Sequence, residues 1–446
     1  MEVTNFKARR KKLLSLIGQS LAIIPAGKEM VRSHDTHFPF RQNSHFKYLT
    51  GFPEPEAILV LCHNNDHASD ILFVRPKDPL MEMWVGKRHG VDETKSIYDF
   101  DQVYSIDEFE TKIDDLLIGH TQVYIDLFDQ EQQKLRDSIL KRMQVLQSKR
   151  KVPGTKPDGL KDINPIVGKL RLRKDKNEIQ LMKKAAQISS KTHRHLMSAC
   201  KPGINESDLY RLLKLSFASQ GAPDEAYESI IASGNNANTL HYIENNSEIN
   251  DGDLVLIDAG CEFQLYASDI TRTFPANGKF TDAQKTIYTI VLNAQKAAIA
   301  HALPGRSIKE VHLAATKELI KGLVEEKIIE GNPEEILEDL SYREYYPHGT
   351  SHWLGMDVHD PCPYLDDQGE ELILSEGMVF TIEPGLYFNE NSFTGPQQYK
   401  GIGIRIEDDI LITDSGHEIL TAGTPKEIKE VEEQCQKELD WNQFSF

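Results

Sequence analysis

Two acidic residues close runs of strand-forming apolar residues: Leu254-Val-Leu-Ile-Asp258 and Val379-Phe-Thr-Ile-Glu383. A carboxylate carried inward by such a strand is costly unless a cation, a proton or several donors meet it. Any fold for this chain must therefore bring compensating charge to both strand ends. A hairpin turning at Phe263-Gln264 sets Asp258 directly opposite Asp269, in Ala267-Ser-Asp-Ile-Thr-Arg-Thr. Cross-strand Cβ atoms would then lie ~4.5–5.5 Å apart, and two like charges that close call for a cation or a shared proton. In another register the two aspartates would simply be solvated.

Three histidines fall within twelve residues in Tyr346-Pro-His348-Gly-Thr-Ser-His352-Trp-Leu-Gly-Met-Asp-Val-His359, in a chain with 16. One histidine alone is usually a hydrogen-bonded structural residue; three together suggest metal ligation or acid/base work. In Gly403-Ile-Arg405-Ile-Glu407-Asp-Asp409 strict alternation places Arg405 and Glu407 on one face, plainly a solvent face unless something charged lies opposite. Asp, Asp, His, Glu and Glu from four strand-like elements make a carboxylate-rich donor set with one imidazole. Hard oxygen ligands with few nitrogens suit Mn²⁺ or a similar ion, and Zn²⁺ and Co²⁺ also fit. Four carboxylates exceed the needs of one ion, whereas two ions ~3.5–4 Å apart could share them.

Charge places this set in one part of the chain. Of 446 residues, 51 are Lys or Arg and 69 Asp or Glu, a net charge of -18. Residues 1–172 hold 26 basic and 24 acidic residues; residues 173–446 hold 25 and 45. This acid excess disfavours nucleic acid as a partner. No stretch approaches the ~18 apolar residues of a membrane span. The basic start, Met1 to Ser20, lacks the apolar core of a secretory signal, and the brevity of Arg-rich segments such as Arg9-Arg10 disfavours, without excluding, a mitochondrial presequence. Five widely spaced cysteines without a CxxC pair fit reduced thiols in a cytoplasm.

The first piece reads as mixed α/β. Strands are expected at Ala57–Cys62, Ile71–Arg75 and Gln122–Asp126, with a turn at Asn64-Asn65-Asp66 and a helix over 130–149. Breaks at Pro153-Gly154 and Pro157-Asp158-Gly159 precede a boundary between 172 and 173. The second piece opens with two helices, one with apolar positions from Ile179 to Cys200, the next capped by Asn205 and ended by Gly221. Capping boxes at Thr281/Gln284 and Ser307/Glu310 start a second helix pair. Strands are expected over 253–260, 265–274, 378–383 and 402–413. Helix pair, strands, helix pair, strands hints at a two-fold internal repeat.

Five motifs in order resemble the pita-bread metallopeptidases: Leu-Ile-Asp258-Ala-Gly, Asp269-Ile-Thr-Arg-Thr-Phe, His348-Gly-Thr-Ser-His352-Trp-Leu-Gly, Thr-Ile-Glu383-Pro-Gly-Leu-Tyr387 and Gly-Ile-Arg405-Ile-Glu407-Asp. Within them the nearest branch is the bacterial-type Xaa-Pro aminopeptidases (aminopeptidase P), which Phe40-Arg41-Gln42-Asn43-Ser44 and Tyr48-Leu-Thr-Gly-Phe52 also resemble. The resemblance spans nearly the whole chain. It implies an α/β (α+β) protein: a creatinase/prolidase-like α/β domain over 1–172, then a pita-bread domain over 173–446. The latter would have a pseudo-two-fold curved antiparallel sheet and flanking helices.

The resemblance also implies two divalent ions, Mn²⁺ first, on Asp258, Asp269, His352, Glu383 and Glu407, with Asp269 and Glu407 bridging. His241, His348 and His359 become substrate-side and catalytic histidines, Arg405 and Tyr387 residues that orient the ligands. The activity implied is release of the N-terminal residue from peptides with proline second: a hydroxide bridging the ions attacks the carbonyl, and Glu383 moves the proton. Rivals are prolidase, limited to dipeptides; methionine aminopeptidase, which lacks such an N-terminal domain; a metal-free creatinase-like hydrolase; and a non-catalytic binding module. The last two sit poorly with an intact ligand set. The partners implied are Xaa-Pro peptides and further copies of the chain, as a dimer or tetramer. Trp84, at an expected strand end, is either a core residue or a wall of a neighbouring subunit's site.

Overall fold

Residues 3–64, 67–152 and 154–444 are described by the computed structural model. The chain divides into two units, Met1–Leu170 and Arg171–Phe446.

In the first unit the apolar runs build a six-stranded mixed sheet. Its order is Gln102–Ser105, His67–Val74, Ile58–Asn64, Leu21–Pro25, Val123–Ile125, Leu160–Asp162. The second, third and fourth of these are antiparallel neighbours, with Val60 opposite both Ile23 and Ile71; the remaining pairings are parallel. Alternate residues of a strand share a face. Leu21, Ile23, Val60, Ile71, Phe73 and Val123 accordingly pack on Phe109 and Ile113 of helix Phe109–Leu117 and on Ile139 and Met143 of helix Gln133–Ser148. The basic start folds as helix Val3–Ile17. Its Arg10 is buried, donating from Nε to Asp70 Oδ2 at 2.7 Å and from Nη1 to the Leu49 carbonyl at 3.0 Å. The expected turn at Asn64-Asn65-Asp66 and the break at Pro153 fall on Asn65, Asp66 and Pro153, outside the described residues.

Trp84 corrects the sequence reading. Pro79–Val85 is a helix rather than a strand end, because Asp78 caps the amides of Leu80 and Met81 and Pro79 presets the first turn. None of its residues is buried. Trp84 is 83% exposed, so it is not a core tryptophan.

The second unit repeats one plan twice. Helices Lys176–Ala199 and Glu206–Ser219 precede an antiparallel sheet of Ile230–Ser233, Leu254–Asp258 and Thr271–Pro275. Helices Asp282–His301 and Ile308–Glu325 precede a second one of Val379–Ile382, Asp408–Ile412 and His417–Ile419, with the pair Gly385–Tyr387 and Gly403–Arg405 alongside. Both capping boxes of the second helix pair form as read, and Asn205 caps its helix. The halves join where Glu407 N donates to the Thr271 carbonyl (3.0 Å) and Thr273 Oγ1 donates to the Arg405 carbonyl (3.0 Å). The expected strands 265–274 and 402–413 are each interrupted, at 268–270 and 406–407, where the backbone leaves one partner for another.

The hairpin register also differs from the expectation. Gln264 and Leu265 both have positive φ, so they form the two-residue turn, with Phe263 opposite Tyr266. Such a turn matches the twist of the flanking strands. The ladder is thereby displaced by two residues, and Asp258 pairs with Thr271 instead of Asp269. A shift of two preserves the face, so Asp269 stays on Asp258's side of the sheet as its diagonal neighbour. Gly260 permits the hairpin to close: a Cβ there would lie 1.7 Å from the Ser268 carbonyl oxygen.

Removing one partner of a buried ion pair leaves the other charge uncompensated. Asp70→Ala should therefore lower the unfolding free energy of the protein by about 3–5 kcal/mol, read from urea denaturation; a loss below about 1 kcal/mol would show that Arg10 finds other acceptors.

Candidate active site

A cavity of about 260 Å³ is lined by Asp258, Asp269, His352, Glu383 and Glu407, together with His241, His359 and Tyr227. Backbone hydrogen bonds deliver most of these groups. Asp258 ends its strand opposite Thr271, and Thr271 in turn holds Glu407, accepting its N–H and donating from Oγ1 to Glu407 Oε2 at 2.6 Å. Thr271 thus sits between two carboxylates from different halves of the unit. The His352 segment runs beside the strand that ends at Glu383: Thr381 N donates to the His352 carbonyl, and Glu383 N to the Thr350 carbonyl. His352 Nδ1 lies 3.2 Å from the Trp353 carbonyl, so this nitrogen carries the proton and Nε2 faces the acids. Nε2 is 3.4 Å from Asp269 Oδ2 and 3.6 Å from Glu383 Oε1.

Asp269, His352 and Glu407 offer ligand atoms all within 4.8 Å of one another. Asp258 is held otherwise, accepting from Arg405 Nη2 (2.6 Å) and from Tyr227 Oη (2.7 Å). Arg405 and Glu407 are both buried, which excludes the solvent-face reading. Arg405 Nη1 donates to the Tyr387 hydroxyl (3.0 Å), and His348 Nε2 lies 2.8 Å from that hydroxyl. His348 Nδ1 faces the Gly349 carbonyl at 2.8 Å, leaving Nε2 to accept from Tyr387. Burial, with Arg405 nearby, lowers the His348 pKa to about 4 and keeps it neutral. His348 does not line the cavity; its Nδ1 is 3.9 Å from Glu383 Oε2. His359 stands edge-on to His352, with ring centroids 4.4 Å apart.

The electrostatics suit a cation. Burial pushes Glu407 well above the usual carboxylate range, with Asp269, Glu383 and Asp258 adding repulsion. Burial likewise raises Glu383 to about 7 and also raises Asp269. At His352 burial works against the charged form, but Asp269 and Glu383 outweigh it and hold the imidazole up near 9. Without a cation, the cavity takes up protons in its place.

Sequence reasoning missed three contributors. The Tyr227 hydroxyl reaches both Asp258 and Asp269, yet it has one proton to give, so two carboxylates compete for it. Asp409 accepts the Asp269 N–H at 3.1 Å, while its Oδ1 is buried without a partner among the described residues. Glu206 is wholly buried and accepts from Ser233 N and Oγ, Asn236 Nδ2, Tyr242 Oη and Ser247 N. It ties down the 233–247 segment that carries His241. Tyr227 lies in a stretch with no periodicity or cluster to mark it, and Glu206 opens the helix capped by Asn205 with nothing in the pattern to show that it is buried. Asp409 ends a motif that was read, and its burial depends on the partner strand.

The sequence pattern of metallopeptidase family M24 matches residues 180–414, and that of the aminopeptidase P N-terminal domain matches residues 6–124. The Xaa-Pro aminopeptidase of Haemophilus influenzae is 41% identical over 428 residues, covering 96% of each chain. The Pseudomonas aeruginosa aminopeptidase PepP structure superposes with a TM-score of 0.93 at 39% identity, over 98% of each chain. Zn-substituted Escherichia coli aminopeptidase P in complex with product gives 0.93 at 40% identity, again over 98% of each chain. The chain belongs to metallopeptidase family M24, in its Xaa-Pro aminopeptidase (aminopeptidase P) branch, and is a hydrolase.

The upward shifts fix a sign for pH dependence. A folded metal-free chain holds more protons at this site than the unfolded chain. His352 contributes stability that is fully present below its ordinary 6.5 and lost as pH rises through about 9. The raised carboxyls add a penalty that builds up through about 7 at Glu383. The Tm of metal-free protein should therefore fall from about pH 5 to about pH 9, and saturating Mn²⁺ should remove most of that fall. Parallel pH profiles with and without the ion, read by scanning calorimetry, check this.

Proposed function

We propose that this enzyme releases the N-terminal residue from peptides whose second residue is proline, using two divalent ions. Asp258, Asp269, His352, Glu383 and Glu407 would hold the ions, Mn²⁺ by preference and Co²⁺ or Zn²⁺ in its place. The supporting observation is the convergence of all five donors on one cavity, in which Asp269, Glu383 and Glu407 are driven toward protonation. When bound, such ions lower the pKa of water and polarise a carbonyl.

The protein's own groups then have distinct tasks. Glu383, on the cavity wall, takes the proton of the attacking water and returns it to the departing proline nitrogen. His359 and His241, on the cavity wall, hydrogen-bond the carbonyl oxygens of the substrate. Asp258 supplies negative charge for the free amino terminus. Arg405 fixes Asp258 and, through Tyr387, His348. Metal-ligating carboxylates generally need such partners to stay oriented.

The named relatives support the proline specificity, since the curated protein from H. influenzae is an Xaa-Pro aminopeptidase. Tripeptides as well as dipeptides would then be cut, in contrast to prolidase. Among the described residues no helix is long and apolar enough to cross a membrane. All five cysteines are free thiols, which supports a cytoplasmic site of action. The exposed apolar residues Leu80, Met83, Trp84 and Val85 support assembly into a homo-oligomer, dimer or tetramer.

Glu383→Ala should cut turnover of an Xaa-Pro-Xaa peptide by at least ~10²-fold with the circular dichroism unchanged. Near-normal turnover would overturn the assignment. In sedimentation velocity, Trp84→Ala should shift the population toward smaller species; an unchanged distribution would remove this helix from the assembly.

A further inference from the structure

Two of the three histidines in the stretch 346–359 have rings fixed by hydrogen bonds. His348 is held at both nitrogens and His352 through Nδ1. His359 is the exception. It is exposed, its ring stands edge-on to His352, and no hydrogen bond reaches that ring among the described residues. Val358 beside it also lines the cavity. A side chain without a tie of its own takes its place from its backbone, so whatever fixes residues 357–360 fixes His359.

That stretch belongs to a closed loop. The loop starts against the strand Val379–Ile382, where Leu354 N donates to the Val379 carbonyl (3.1 Å). It closes where Asp360 N donates to the Trp353 carbonyl (2.9 Å). Gly355 N donates to the Asp357 carbonyl at 3.1 Å, and a Cβ on Gly355 would lie 2.5 Å from Asp360 Oδ2. The buried Asp360 carboxylate therefore fills the space that a side chain at 355 would need.

This carboxylate meets two buried cations. Asp360 Oδ1 accepts from Arg171 Nη2, and Oδ2 accepts from Lys174 Nζ at 3.2 Å. The same Arg171 nitrogen donates to Asp357 Oδ2 at 2.7 Å. Arg171 thus grips the loop on both sides of Val358 and His359. The cations are anchored in turn: Lys174 N donates to the Gly377 carbonyl at 2.8 Å, and Arg173 bridges to Met378, just ahead of the strand that leads to Glu383. One clamp ties the place of His359 to that of Glu383. Buried ion pairs add little net stability, because desolvation offsets their attraction; their directional bonds set geometry instead.

We propose that Arg171 is a positioning residue for the reaction, acting through His359: by bridging Asp357 and Asp360 it fixes where the His359 ring stands on the cavity wall. The inference rests on the reading of His359 as a hydrogen-bond partner of a substrate carbonyl. A catalytic group misplaced by ~1 Å can cost ~10²-fold in rate.

Steady-state kinetics on an Xaa-Pro-Xaa peptide test this, with metal-loaded wild type, Arg171→Met, Arg171→Lys, His359→Ala and the double variant Arg171→Met/His359→Ala. Arg171→Met should lower kcat/KM about tenfold or more at unchanged metal content. Arg171→Lys, a point charge that reaches one aspartate at a time, should recover part of that loss. With His359 already replaced, Arg171→Met should cost less than about twofold, because the group it positions is gone. A merely structural role would give the same loss in both backgrounds, and that result would overturn the proposal, as would wild-type kcat/KM in Arg171→Met. Should Arg171→Met fail to fold, Asp357→Asn, which leaves no buried charge unpaired, repeats the cycle with a loss of a few-fold expected. A second readout needs no peptide. In Zn²⁺-loaded protein with isotope-labelled histidine, the His359 ring resonance, identified by its absence from His359→Ala, should move in the Arg171 or Asp357 variant; an unmoved resonance overturns the clamp. Were the wild type inactive on Xaa-Pro peptides, the proposed activity would fall, and a displaced resonance would still uphold the clamp.

Discussion

Everything in the unit Arg171–Phe446 answers to one electrostatic problem: four carboxylates and one imidazole brought to a single small cavity. Asp258, Asp269, Glu383 and Glu407 repel one another, and burial removes the water that would screen them. Hydrogen bonds offset part of the cost. Thr271 donates to Glu407, Arg405 to Asp258, and Tyr227 reaches both aspartates. These donors are too few for four charges, which is why protons are held so tightly at Glu383, Glu407 and His352. A pair of divalent ions would meet the same need with chemistry attached.

Rigid neighbours make that concentration of charge tolerable. Each acid sits at or near a strand end with its backbone N–H tied: Glu383 to the Thr350 carbonyl, Glu407 to the Thr271 carbonyl, and Asp269 to the Asp409 carboxylate. The two halves of the unit meet at Thr271 and Thr273 on one side and Arg405 and Glu407 on the other. Behind the seam, Arg272 and Asp408 form an ion pair that is wholly buried, joined by Lys426. Opposite charges there are balanced within the protein, whereas the cavity in front is left acidic. The repeated plan of helix pair and antiparallel sheet thus places one acidic hairpin from each half against the other.

Much of this was legible in the residues. The apolar runs ending at Asp258 and Glu383 and the histidine cluster pointed to groups that line the cavity, whereas alternation around Arg405 and Glu407 read by itself as a solvent face. Capping boxes at Thr281 and Ser307 fixed helix starts because caps are local interactions between residues three apart. The hairpin register was misjudged because two neighbouring two-residue turns place the same side chains on the same face, and only positive φ at Gln264 and Leu265 selects between them. Trp84 was misjudged because aromatic residues are usually covered, while Asp78-Pro79 starts a short helix with no buried residue. Tyr227 and Glu206 carry no sequence signal, since their importance lies in partners 31 to 42 and 27 to 41 residues away.

The sequence by itself determined which chemistry this protein can hold: the kinds of donor, their order, and the strand ends that present them. These are properties of residue type and near-neighbour spacing, which act before the chain has folded. Only the tertiary structure decided which of those groups share a cavity and which stand behind it. His352 faces Asp269 and Glu383, whereas His348, four residues earlier, is turned to Tyr387 and kept neutral. That division depends on how strands from opposite halves register at Thr271, and on burial, which converts ordinary carboxylates into groups that demand a cation.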